Sequence, residues 1–171
     1  MSMRGARPLH PARWLGIPLL ICIAATIVFS APLRIWGLQL PEPVFAMVPA
    51  FAWALIRPSI LAPFAILLLG LFLDLFWGGP TGLWGLSLLV AYAMVLIARN
   101  MMTGQSRPMM WAWFAGVTAV AMIAGFLFSM LDSLAMPSLL AVFWQFLATA
   151  LLFPFAHRLV DRFDDADVRF R

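Results

Sequence analysis

Asp74 stands three residues before the end of an 18-residue apolar run, Ile60–Trp77, and the sequence Gly78-Gly79-Pro80-Thr81-Gly82 then turns the chain straight into a second apolar run, Leu83–Ala98. A carboxylate in the middle of a lipid-embedded helix costs roughly 2.5–3.5 kcal/mol on insertion scales, so an acid here needs compensation. Two apolar runs joined by so short a turn fold as a helical hairpin, because in lipid a helix satisfies every backbone group within its own segment.

Composition extends this reading to the whole chain. The 171 residues are 64% hydrophobic and 11% charged, with a mean hydropathy of +0.99. Soluble domains carry about 45–50% apolar and about 25% charged residues. The solvent for this chain is therefore a bilayer, and the fold class is an all-α polytopic membrane protein. Net charge is +4, and all eleven basic residues are arginine. They stand singly between apolar runs and form no basic face, which argues against nucleic acid. Cys22, the sole cysteine, lies inside the first apolar run and reads as a small core residue.

Six apolar segments can be drawn, at approximately 14–33, 44–56, 60–77, 82–98, 109–130 and 138–156. A spanning helix needs about 20 residues, with a range of 17–25. The second segment is short, and it is bounded or interrupted by Pro41, Pro43, Pro49 and Pro58. Arginine placement argues that it crosses nonetheless. With six spans and a cytoplasmic N-terminus, the inner side receives Arg4, Arg7, Arg13, Arg57, Arg99, Arg107, Arg158, Arg162, Arg169 and Arg171, leaving only Arg34 outside. Both termini are then cytoplasmic. Trp14, Trp111 and Trp113 fall at the inner border, and Trp36, Trp77 and Trp84 at the outer one. The first run is too long for a secretory signal and reads as a retained span. With no repeat or linker, the chain 1–171 is expected to form one transmembrane domain.

Catalytic constellations are not found. His10 and His157 stand at cytoplasmic borders, and the sequence holds no Ser-His-Asp set, zinc-protease helix or phosphate-binding loop. The expectation is no catalytic residue, no metal and no cofactor. The aspartates Asp161, Asp164, Asp165 and Asp167 alternate with arginines in a charge-balanced tail. Asp74 is the leading polar candidate. At a helix C-terminus an acid opposes the macrodipole. The turn returns the free N–H groups of the next helix beside it, so a structural cap is the first reading. A partner contact or an ion or proton role stays open. In the turn, Gly78, Gly79 and Gly82 tolerate positive φ, and Pro80 suits a turn.

The fifth segment gathers small residues on two faces, Ala112/Ala115/Gly116/Ala119 and Thr118/Ala121/Gly125/Ser129. Small residues allow close helix approach in lipid, so internal bundle packing is the first reading for either face, and the second face is the candidate dock for a partner helix. Gln145 and Thr149, four apart, can both reach one neighbouring segment. Pro154 is expected to kink the sixth span near its end.

Gly70-x3-Asp74, Gly78-Gly79-Pro80-Thr81-Gly82-Leu83 and Leu88-Leu89-Val90-Ala91-Tyr92 together resemble the rod shape-determining membrane protein MreD family. The segment Val142-Phe143-Trp144-Gln145, followed by Leu152-Phe153-Pro154 and an arginine-bearing tail, is similar as well. The resemblance implies a non-enzymatic inner-membrane subunit of the bacterial cell-elongation machinery. It also implies partnership with the single-span protein MreC, with MreB, RodA and the elongation transpeptidase in the same complex, positioning lateral peptidoglycan synthesis. The proline-rich second span departs from the family pattern. Six-helix substrate-binding subunits of energy-coupling vitamin transporters are the rival class. They are expected to carry an Ala-x-x-x-Ala pair on the first helix, a spacing that Ala24, Ala25 and Ala31 do not offer.

Overall fold

The computed structural model describes residues 12–30, 34–35, 38–39, 42–56, 59–133 and 138–168. Arg4, Arg7, His10, Trp36, Pro41, Arg57, Pro58, Arg169 and Arg171 lie outside these residues, as do the side chains of Arg13, Arg34, Asp132, Arg162, Asp164, Asp165 and Asp167. A π-helical turn, Ala12–Gly16, leads into α1 (Ile17–Phe29). There follow a two-residue antiparallel pairing, Arg34–Ile35 with Leu38–Gln39, and then α2 (Met47–Ile56), α3 (Leu61–Trp77) and α4 (Leu83–Met102). The remaining helices are α5 (Arg107–Ser133), α6 (Leu139–Ala150) and α7 (Phe153–Val168).

Three stretches are long and apolar enough to cross a membrane, Leu83–Met102, Arg107–Leu131 and Leu139–Asp161. Three apolar helices are shorter, Trp14–Phe29, Met47–Ile56 and Leu61–Trp77. These helices mark a membrane protein. Their outward faces carry exposed Leu20, Leu68, Ile97, Ile123, Leu131 and Leu140, which in water would be an aggregation hazard and in lipid are ordinary surface.

Helix α4 packs against α2, α3 and α5, and α7 folds back on α2. Helices α3 and α4 approach closely at Gly70 and Gly85. A β-carbon added at Gly70 would lie 2.3 Å from the Cα of Gly85, so the two backbones meet with no side chain between them. That approach, absent a hydrophobic force between helices in lipid, maximises van der Waals contact.

The short second segment is not interrupted by Pro49. Its helix starts at Met47, which puts Pro49 in the first turn, where a missing N–H costs nothing within the helix. From Met47 to Ala54 every residue is buried. Phe51 meets Phe114 of α5 edge-on at 5.3 Å, and Trp53 meets Trp14 at 6.5 Å. Ten helical residues rise only about 15 Å, half the hydrocarbon thickness of about 30 Å. Surrounding helices, not lipid, enclose α2.

The sixth segment is two helices, divided at Leu151–Leu152, with Pro154 the second residue of α7. Helix α5 is longer than the 109–130 expected and α4 continues past Ala98 to Met102, whereas the first helix stops at Phe29.

Candidate functional site

Asp74 is 1% exposed and joins both halves of the α3–α4 hairpin. Its Oδ2 accepts the backbone N–H of Gly82 and its Oδ1 that of Trp84, each at 2.8 Å. These are donors at the start of α4 that have no partner inside the helix. The carboxylate charge also faces the positive end of the α4 dipole. At the same residue the backbone carbonyl closes α3, accepting the N–H of Gly79 at 3.0 Å and that of Gly78. Gly78 (φ 67°) and Gly82 (φ 97°) take left-handed conformations that leave the turn tight enough for this double capping. Pro80 contributes its carbonyl to the N–H of Leu83 at 3.2 Å.

A second polar cluster adjoins the hairpin. The indole N–H of Trp77 donates to Glu42 Oε2 at 2.8 Å, and the Trp77 ring packs on Trp84 at 5.2 Å. Glu42 opens the non-helical stretch that leads to α2. Gln145 and Thr149 of α6 hold this stretch. Gln145 Nε2 donates to the Glu42 carbonyl at 3.3 Å, and Thr149 Oγ1 accepts the Val44 N–H at 3.0 Å while donating to the Gln145 carbonyl at 2.7 Å. Both side chains thus reach one segment, the lead-in to α2. Irregular backbone among membrane helices persists where protein groups satisfy it.

The face Thr118/Ala121/Gly125/Ser129 lies largely inside the bundle. Thr118 and Ala121 are fully buried. A β-carbon on Gly125 would lie 3.0 Å from Ser87 Oγ of α4, and Thr118 Oγ1 donates to the Phe114 carbonyl at 2.8 Å. Ser129 is half-buried beside a cleft. At Gly125 the small residue that could admit a partner helix admits α4. The other small face carries the exposed Ala112 and Gly116, with nothing within 4 Å of a β-carbon on Gly116.

Sequence reasoning missed two indole donors that answer prolines. A proline removes the N–H that would bond the carbonyl four residues earlier. For Pro18 that carbonyl is Trp14, and Trp53 Nε1 donates to it at 3.2 Å. The Phe45 carbonyl, four before Pro49, is not orphaned: it accepts the Val48 N–H at 3.1 Å, with the Cys22 thiol at 3.6 Å beside it. For Pro154 the carbonyl is that of Ala150, reached by Trp111 Nε1 at 3.1 Å. The orphaned carbonyl can be counted from the sequence, but its donor comes from another helix.

At the far end of the bundle, His157 stacks on Phe153 at 5.6 Å and its Nδ1 lies 3.5 Å from Asp161 Oδ1. Among the described residues no group of three or more His, Cys, Asp or Glu could hold a metal ion. Beside the hairpin, an open cleft of about 150 Å³ lies among Trp84, Met122, Phe126, Val142 and Gln145. Comparison with family models, with curated proteins and with solved structures gave no match.

Proposed function

We propose that this chain is a non-enzymatic scaffold subunit of the bacterial cell-elongation machinery. In this reading it crosses the inner membrane six times, with both termini in the cytoplasm. It binds the single-span protein MreC and works beside MreB, RodA and the elongation transpeptidase. The α3–α4 hairpin is the observation that carries the reading. It contains the Gly70, Asp74, Gly78 and Gly82 of the MreD-like motif. Gly70 permits the close approach of the helices, Asp74 caps twice, and Gly78 and Gly82 make the two left-handed turns. A motif whose members build one rigid hairpin suits a scaffold that presents helix surface.

Six crossings also suit the buried α2. Its lead-in is held by Gln145, Thr149, Cys22 and Trp77, so the segment needs no lipid-compatible length of its own. The vitamin-binding alternative asks for a pocket of about 300–1,000 Å³. Three clefts among the described residues, of about 150, 230 and 270 Å³, fall below that range.

The test is depletion of the protein in a rod-shaped host, paired with affinity purification of the intact protein from its membranes. Rounded cells and co-purified MreC are expected. Normal rods on depletion, or reproducible thermal stabilisation of the purified protein by one vitamin, would overturn the reading.

A further inference from the structure

We draw no further inference here: the strongest candidate, the apolar cleft of about 230 Å³ between α5 and α6 lined by Ala119, Ile123, Phe126, Val142, Phe143 and Phe146, lies on an outward helix face, and nothing in the structure shows what covers it.

Discussion

The indole N–H of Trp111 donates to the backbone carbonyl of Ala150 at 3.1 Å, across the gap between α5 and the end of α6. Ala150 is four residues before Pro154, which has no N–H to offer it. Leaving a buried acceptor unpaired costs about 1–3 kcal/mol. Trp111→Phe is therefore expected to destabilise the purified protein by about that much, while keeping most of the ring's packing. In a Pro154→Ala background the restored N–H can serve Ala150, and the same Trp111→Phe change should cost markedly less. Unfolding in mixed micelles measures both. Equal losses in the two backgrounds would show that Trp111 acts through packing alone.

Asp74 engages two donors with two oxygens. Asn offers one carbonyl oxygen, so Asp74→Asn keeps one cap and turns its amide toward the other donor. Asp74→Leu leaves both N–H groups unpaired, at about 1–3 kcal/mol each. The expected order of membrane accumulation and thermal stability is Asp, then Asn, then Leu. If Asn and Leu were equally damaging to cell shape while both accumulated normally, the charge itself would be functional.

Gly70→Ala is expected to be among the most damaging single-methyl changes in the chain. The new β-carbon would meet the Gly85 backbone at 2.3 Å, and backbone cannot swing aside as a side-chain tip can. Overpacking costs about 1–3 kcal/mol, occasionally more, and this site belongs at the upper end. Gly116→Ala, with open space around it, is the matched control and should leave stability unchanged or slightly raised. Parallel thermal unfolding of the two variants checks the contrast. A tolerated Gly70→Ala would mean that α3 and α4 do not approach so closely.

Replacing Ala121 and Gly125 with Leu should lower the amount of folded protein, since both positions are buried and Gly125 lies directly against α4. Any loss of partner binding would then follow from lost folding. Limited proteolysis in membranes separates the cases. Full protection of the double variant, together with loss of the proposed MreC co-purification, would assign this face to the interface.

Reporters fused after Arg57, Arg107 and Arg171 test the six-span topology, and all three are expected to read cytoplasmic. An outward Arg57 would make α2 a re-entrant helix and place the C-terminus outside. Because α2 is short and buried, this one position decides between the two arrangements.

Much of the local architecture was legible in the residues themselves. The apolar runs announced helices, because a chain with so few charges can satisfy its backbone in lipid only within each segment. The hairpin was equally readable, since Asp74, the glycines and Pro80 lie within nine residues and their chemistry is local. What the sequence could not decide was which face of a helix meets which neighbour. Thr118, Ala121 and Gly125 look the same whether they await a partner or touch α4, because small residues lower the barrier to any close approach. Val44 and Thr149 lie 105 residues apart, and Trp111 and Ala150 lie 39 apart. Proline by itself specifies that a carbonyl loses its usual donor. Only the packing of distant helices brings an indole within reach of such a carbonyl, and that packing depends on the shape of the whole bundle.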